Sequence, residues 1–237
     1  MERKNTISEV VMIFPLMFLF SFLATANTTS YEGVATVKGR VVYTEKHQLK
    51  LDEKGTILES ETTYQDPSGK TVGILKNNYQ QSLNVPDHLM DDLRKKNKHG
   101  TRLKNGKIEL FNQDGDEKEE TELIQNKNDK GLIVASQGLH YYLIGNYEKM
   151  KVQKFLLKFL IPGRLDSYKF VLSYKGKTKD GLDEFEVEID NWILRMFAPS
   201  LILRYHPETK RLIYYKGLSN LSDEKGEMMS VEINYKY

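Results

Sequence analysis

Apolar and polar residues alternate along most of the chain with a period of two, in short stretches that are typical of β-strands. The stretches are rich in β-branched and aromatic residues, and segments such as QDPSGK and KNGK between them supply the Gly, Asn, Asp and Pro that tight turns require. This spacing predicts a mainly β protein: a curved antiparallel sheet, a half-barrel or open barrel, with two short helices. Strands are predicted at Val41–Leu51, Thr56–Tyr64, Thr71–Tyr79, Gly106–Phe111, Gly131–Ala135, Tyr168–Gly176, Phe185–Phe197, Leu201–His206, Arg211–Gly217 and Met229–Tyr237.

Two segments break the alternation and predict the short helices. VPDHLMDDLRKKNKHG has Pro86 at a first helical position, acidic residues early, basic residues late and Gly100 beyond its end. We therefore predict one helix near Pro86–Lys96. We predict the other at Gly138–Tyr147, because one stripe of its surface would be apolar and could cap a sheet.

The N-terminus has the pattern of an export signal. A polar start with Arg3 and Lys4 is followed by the apolar run Val10–Leu23, which is shorter than the ~20 apolar residues of a membrane span. Small residues at Ala24 and Ala26 match a signal peptidase site. We predict a signal peptide over residues 1–26, cleaved after Ala26, and a single β-rich domain over residues 27–237. An uncleaved anchor helix is the alternative.

The composition of the chain limits the compartments and the partners that we expect for it. The chain has no cysteine, which excludes lipid anchoring through an N-terminal cysteine and favours a bacterial envelope protein over a disulfide-rich secreted domain. We therefore predict a periplasmic location. The 35 Lys and Arg and 33 Asp and Glu residues leave a formal charge of +2 and are scattered along the chain, so we expect no nucleic-acid partner.

The stretch VVYTEKHQLKL places polar groups on the apolar face of a strand. With a period of two, Tyr43, Glu45 and His47 share that face. Residues two apart are separated by roughly 6.5–7 Å along a strand, so we expect no direct bond between Glu45 and His47. Arg195, Arg204, Tyr43 or a buried water would then supply the partners. We interpret the pair as part of a polar network in the core; a ligand-binding or acid–base role is the alternative.

A second unusual segment is KMKVQKFLLKFLIPGR, Lys149–Arg164, which could form a basic amphipathic helix at a membrane surface. Pro162 and the neighbouring strands favour a β-strand instead. One face of this strand would carry Phe155, Leu157 and Phe159. The other face, with Leu156 and Leu160, is also apolar, so we predict that it contacts lipid or a covering helix and expect peripheral contact with a membrane.

Motifs for other chemistry are weak in this sequence. The other histidines, at positions 88, 99, 140 and 206, lack the paired spacing of a zinc site, and the acidic segment Asn112–Glu122 lacks the later ligands of an EF-hand. Ser136 in ASQGL and Ser200 in APSLI lack the G-x-S-x-G pattern of a nucleophile elbow. We therefore predict no catalytic residue, no metal site and no cofactor.

Four stretches of the sequence resemble parts of other known proteins. They are VVYTEKHQLKL, YQDPSGKTVG, FLIPGRLDSYKFVL and the closing RYHPETKRLIYYKGLSNLSDEKGEMMSVEINYKY. Through them, Tyr31–Tyr237 resembles uncharacterised exported proteins of proteobacteria. The resemblance implies one domain and transfers no functional residue. The order of elements is also similar to the half-barrel of periplasmic lipoprotein carriers, where a curved sheet holds acyl chains beneath a helical lid.

Together these patterns predict a non-enzymatic periplasmic protein that binds a hydrophobic or amphipathic envelope molecule, such as a lipid or an acyl chain, within a curved β-sheet. Two alternatives stay open: an envelope enzyme that uses Glu45 and His47 as an acid–base pair, and a structural module for protein contacts. The pattern carries no signal for an oligomeric state. The predicted ligand-contacting residues are Tyr43, Glu45, His47, Phe155, Leu157 and Phe159.

Overall fold

A computed structural model of the protein describes residues 27–124, 132–191, 200–223 and 225–237. The predicted signal peptide, the end of the predicted strand Phe185–Phe197 and Arg195 lie outside these residues. The strands are β1 (Asn27–Val37), β2 (Arg40–Leu51), β3 (Ile57–Gln65), β4 (Thr71–Asn78), β5 (Asp87–Asp92), β6 (Asn97–Lys104), β7 (Lys107–Asp114), β8 (Glu120–Ile124), β9 (Leu132–Val134), β10 (Phe155–Ile161), β11 (Asp166–Lys177), β12 (Asp183–Ile189), β13 (Leu201–Tyr205), β14 (Leu212–Ser222) and β15 (Met228–Lys236). The helices are α1 (Gly138–Gly145), α2 (Tyr147–Val152) and a short 3-10 helix (Pro162–Arg164).

All of these strands belong to one open sheet, in the order β8-β7-β6-β5-β4-β3-β2-β1-β15-β14-β13-β12-β11-β10-β9. The first and last strands pair at its centre, so β1–β8 form one arm and β9–β15 the other. The prediction of a mainly β protein with a curved open sheet and two short helices is confirmed. Neighbours are antiparallel as predicted, except that β9 pairs with β10 in parallel, because the chain between them crosses over through α1 and α2.

The two arms of the sheet curve towards each other and come into contact. Strand β5 lies against β14, and the 3-10 helix that follows β10 lies against β6 and β7. Leu157 packs towards α1 on one face of β10, whereas Leu160 on the other face packs with Leu110 of β7. Part of β10 is therefore covered on both faces, which accounts for apolar residues on both faces of a strand that Lys158 interrupts. The predicted lipid or helix cover is wrong for Leu160, which a β-strand covers.

The predicted helix near Pro86–Lys96 is wrong. This segment forms β5 and the turn into β6, with alternate side chains buried at His88, Met90 and Asp92. Strand β4 pairs with one edge of β5 and strand β6 with the other. This pairing outweighs the local preference for a helix, because the same residues are also compatible with a strand followed by a turn. The other predicted helix is confirmed as α1, with α2 directly after it. Strands β1, β6 and β8 were not predicted.

Helices α1 and α2 pack against the buried face of the rolled sheet, and the other side of α2 is exposed. Leu139 and Leu143 of α1 pack into the apolar cluster that includes Leu157 and Leu172 of the second arm. On the other side, α1 begins against the first arm at Gly138, where an added Cβ would lie 2.1 Å from the carbonyl oxygen of Asn84. A side chain at this position would push the helix away, so the close contact requires glycine.

Candidate functional site

Strand β2 directs Tyr43, Glu45 and His47 into the interior, as predicted, and each is at most 4% exposed. The expected absence of a direct bond is wrong: His47 Nε2 and Glu45 Oε2 are 2.9 Å apart. The two side chains are long enough to bend towards each other, so the separation of their Cα atoms does not set the separation of their polar ends.

Neighbouring strands supply the other partners of this pair. The register of β2 and β3 sets His47 opposite Thr62, whose Oγ1 lies 2.8 Å from His47 Nδ1. The Tyr235 hydroxyl donates to Glu45 Oε2 at 3.2 Å, and the ring of Tyr31 stacks on His47 with centroids 4.2 Å apart. We call Glu45, His47, Thr62, Tyr31 and Tyr235 the polar cluster.

The partners expected from the sequence bond elsewhere. Arg204 pairs with Glu184 at 2.7 Å on the opposite face of the sheet, and the Tyr43 hydroxyl lies 3.0 Å from Ser219 Oγ. Arg195 lies outside the described residues. The sequence identified the two central side chains of the cluster and missed the residues that bind them.

Helix α1 connects the polar cluster to the first arm through Gln137, the residue before the helix. Its Nε2 donates to Thr62 Oγ1 at 3.4 Å, and its Oε1 accepts from the hydroxyls of Ser60 at 3.1 Å and Tyr79 at 3.2 Å. The Gln137 side chain makes no capping bond to α1 itself. Its polar groups therefore hold the helix to the sheet.

The same helix is bonded to the second arm through His140. His140 Nδ1 lies 3.0 Å from the Tyr205 hydroxyl on β13, and the two rings are nearly parallel. Burial, with a smaller effect from nearby His47, lowers the pKa of His140 to about 4. The imidazole is therefore neutral at pH 7, and α1 bridges the two arms by hydrogen bonds.

Helix α2 is held at Asp183, whose side chain has no exposed surface. The carboxylate accepts from the hydroxyls of Tyr147 at 3.0 Å and Tyr174 at 2.8 Å, and its Oδ2 lies 2.7 Å from Lys151 Nζ. Burial would raise the pKa of Asp183, but the hydrogen bonds from Lys151, Tyr174 and Tyr147 outweigh it and lower this pKa to about 2. Asp183 thus joins α2 to β11 and β12.

We expect Asp183→Asn to lower the free energy of unfolding by about 2 kcal/mol at pH 7, because a carboxylate pKa below its ordinary value is a stabilisation of the folded state. This stabilisation is complete above the unfolded-state pKa near 4 and is lost as the pH falls towards 2. Urea unfolding at pH 7 measures it, with Asp190→Asn on the exposed surface as the matched control. Equal losses in the two variants would contradict this role.

The predicted apolar contacts lie in the second arm. Leu157 is fully buried in the cluster with Leu143 and Phe185, and Phe155 and Phe159 are partly buried at its margin. The structure places them in a different cluster from Tyr43, with α1 in contact with both arms. The six predicted ligand-contacting residues therefore fall into two separate groups rather than one continuous site. We call Tyr43, Glu45 and His47 the polar wall, and Phe155, Leu157 and Phe159 the apolar wall.

Some of the missed residues had a signal in the sequence. In SETTY, Ser60, Thr62 and Tyr64 alternate on the buried face of β3, and the hairpin to β2 could have placed Thr62 beside His47. Tyr235 had no such signal, because it reaches Glu45 only through the pairing of β1 with β15 across the whole length of the chain.

A hydroxyl, an imidazole and a carboxylate stand in sequence at Thr62, His47 and Glu45, which is the order in which a base activates a nucleophile. However, Thr62 has no exposed surface, and Tyr31 covers a face of the His47 ring. To admit a substrate to this hydrogen-bonded series of side chains, α1 or Tyr31 would have to move.

An open groove of about 980 Å³ lies on the outer face of the first arm, away from the polar cluster. Charged residues line much of it, and they pair as Lys50 with Glu59, Lys76 with Glu61, and Arg102 with Glu119. Over the described ranges, no three His, Asp or Glu side chains converge as metal ligands. No helix in these ranges is long and apolar enough to cross a bilayer.

Comparisons with known proteins give one structural similarity to report. No family model matches the chain, and neither does any curated protein. A crystal structure of a β-barrel-like protein with the domain of unknown function DUF1849, from Brucella abortus, aligns with 90% of this chain and 95% of its own, at 10% identity and a TM-score of 0.32.

Proposed function

We propose that this chain is a non-enzymatic periplasmic protein that binds a hydrophobic or amphipathic envelope molecule, a lipid or an acyl chain, between the arms of its rolled sheet. The observation that carries the proposal is the division of the interior into a polar wall at Glu45 and His47 and an apolar wall at Leu157 and its neighbours. A molecule with one polar and one apolar end matches both walls.

Helices α1 and α2 act as the lid in this proposal. Leu139 and Leu143 occupy the apolar wall in the described state, so an acyl chain would replace one apolar partner by another when the helices withdraw. The contacts that resist withdrawal are polar ones, at Gln137, His140 and Asp183, and water can replace them. The polar end of the ligand would bond to the polar cluster, where Gln137 bonds now.

The end of the lid supports peripheral contact with a membrane. Val152, the last residue of α2, is 84% exposed, and Leu156 on the outer face of β10 is 47% exposed. Lys149 and Lys154 are exposed beside them. Apolar side chains flanked by cations suit the surface of an anionic bilayer, so the lid would open where the ligand is available.

Native mass spectrometry of the protein purified from its own envelope tests the proposal, and we expect a co-purifying lipid. A kinetic test uses Gln137→Leu, which removes the side-chain bonds of Gln137 between the lid and the first arm. We expect this variant to take up a fluorescent fatty acid about tenfold faster than the unaltered protein, since about 1.4 kcal/mol of lid contact is lost.

Gln113→Leu is the matched control, because Gln113 lies on β7, away from the lid, and its side chain donates to the nearby Glu117 carbonyl. It should take up the fatty acid at the unaltered rate. If the purified protein carried no lipid and neither variant nor parent bound the fatty acid, the proposal would be wrong.

The second candidate function is an envelope enzyme with Glu45 and His47 as acid and base. The observation that favours it is the hydrogen-bonded series from Thr62 through His47 to Glu45. In this alternative the same lid would admit a substrate to the Thr62 hydroxyl. The stabilities of single and double variants of Glu45 and His47 separate a stabilising network from such a site.

A further inference from the structure

The side-chain carboxamide of Gln137 lies among polar groups of the first arm that match it at both ends. Its Oε1 atom accepts from the hydroxyls of Ser60 at 3.1 Å and Tyr79 at 3.2 Å, and more weakly from Asn77 Nδ2 at 3.5 Å. Its Nε2 atom donates to Thr62 Oγ1 at 3.4 Å. Three donors therefore converge on the carbonyl oxygen, and one acceptor faces the N–H group.

Neighbouring residues fix which end of the carboxamide faces which partner. Ser136 Oγ donates to Asn77 Oδ1 at 2.8 Å, so the Nδ2 end of Asn77 points towards Ser60 and Gln137. An amide nitrogen donates and does not accept, so an oxygen must face it on this side. We call the four partners of the carboxamide the Gln137 subsite: Ser60, Thr62, Asn77 and Tyr79.

The Gln137 side chain can leave this subsite while the backbone stays in place. Gln137 is partly exposed. Beside it, Ala135 N–H donates to the Asn84 carbonyl at 2.9 Å, and Gly138 packs against the same carbonyl. These contacts hold the chain on both sides of Gln137. Rotation of the side chain towards solvent therefore leaves a space with the size and the hydrogen-bonding groups of one carboxamide.

The charge of the surroundings distinguishes an amide from an anion. The four side chains of the Gln137 subsite are uncharged. Beyond Thr62 lies His47, which is paired with the Glu45 carboxylate, so this pair supplies no net positive charge for an anion. An anion in such a place is costly, and a carboxylate offers no N–H to Thr62. An amide can replace each hydrogen bond that Gln137 makes.

We propose that the Gln137 subsite binds an uncharged amide group of the ligand, and that the Gln137 carboxamide takes its place when no ligand is bound. The amide oxygen accepts the bonds from Ser60, Tyr79 and Asn77. The amide N–H donates to Thr62. This inference rests on the proposed function and deepens it: the envelope molecule is an acyl chain whose polar end is an amide rather than a carboxylate or a phosphate.

Chemical rescue tests the subsite without an acyl chain. Gln137→Ala removes the carboxamide and one CH2 group, which acetamide can replace. We expect about 0.5 M acetamide to raise the Tm of this variant by about 1 °C relative to its effect on the parent, because a ligand that binds only the folded state stabilises it. Sodium acetate at the same concentration should give no such difference. Gln113→Ala, which removes the same groups from β7, is the control and should respond as the parent does.

Displacement of the fluorescent fatty acid tests the class of ligand. We expect dodecanamide to bind the parent about tenfold more tightly than dodecanoate does, because only the amide makes every bond of Gln137. Thr62→Val removes the acceptor of the N–H group and should abolish this preference. Thr62→Ser keeps the hydroxyl, so it is the matched control and should retain the preference. The comparison of the two ligands in the parent does not depend on the folding of either variant.

The outcomes separate the subsite from the proposed function. Acetamide rescue that is absent in Gln137→Ala, or that acetate equals, would overturn the subsite. Dodecanoate bound as tightly as dodecanamide, or a preference that survives in Thr62→Val, would overturn the amide ligand and leave the proposed function intact. If acetamide stabilised Gln137→Ala but no acyl probe bound, the proposed function would be wrong and the subsite would stand.

Discussion

Lowering the pH from about 7.5 to about 5 is expected to remove about 4 kcal/mol from the free energy of unfolding, through two buried histidines that contribute about 2 kcal/mol each. His88 is buried beside Thr101, with Nδ1 2.8 Å from Thr101 Oγ1, and Thr101 donates to the Pro86 carbonyl. Burial lowers the pKa of His88 to about 3, with a smaller contribution from His99. His140 is the second residue, with its pKa lowered to about 4.

The loss of stability at lower pH follows from which state, folded or unfolded, binds the proton more readily. In the unfolded chain both imidazoles take up a proton near pH 6.5, whereas in the folded protein they stay neutral until the pH is far lower. Above pH 6.5 neither state is protonated, and the full stability is present. As the pH falls from 6.5 towards 4, the unfolded state binds more protons than the folded state, and stability is lost.

Urea unfolding of the parent at the two pH values measures the loss. His88→Gln should lower stability at both, but its difference between the two pH values should be about 2 kcal/mol smaller than that of the parent. Met90→Leu, on the same buried face of β5, is the control and should keep the parental difference. A parental difference near zero would contradict the burial of these histidines as neutral groups.

Replacing Glu45 or His47 alone by Gln is expected to lower the free energy of unfolding by about 2 kcal/mol, because each change leaves buried partners without their bonds. The Glu45 variant weakens the acceptor of Tyr235, and the His47 variant disturbs Thr62 and the stacked ring of Tyr31. In the double variant the loss should be at least about 1 kcal/mol smaller than the sum, since members of one network are not additive.

Lys46→Gln serves as the control for this set, because Lys46 lies between the two residues on the exposed face of β2. It should leave the urea midpoint unchanged. Unchanged or raised midpoints in both single variants and the double variant would contradict the stabilising network, since functional sites are commonly held at a cost in stability. That result would favour the acid–base alternative.

Local sequence determined most of the strands and which of their side chains face inwards, although it missed β1, β6 and β8 and predicted a helix in place of β5. The alternation in VVYTEKHQLKL placed Glu45 and His47 on the buried face of β2, and the turn segment QDPSGK predicted the hairpin of β3 and β4. The apolar stripe of α1 was also readable. These features depend on contrasts between neighbouring residues, which the order of amino acids contains directly.

Only the tertiary structure decided how these pieces meet. The pairing of β1 with β15 brings Tyr235 to Glu45, the rolling of the sheet covers Leu160 with β7, and the pairing of β5 with β4 and β6 overrides its helix-like ends. The bond from Ser60 of β3 to Gln137 also depends on the tertiary structure. Each depends on which segments far apart in the chain become neighbours. The polarity of a strand fixes which of its faces is buried, but it does not say which distant strand will lie beside it.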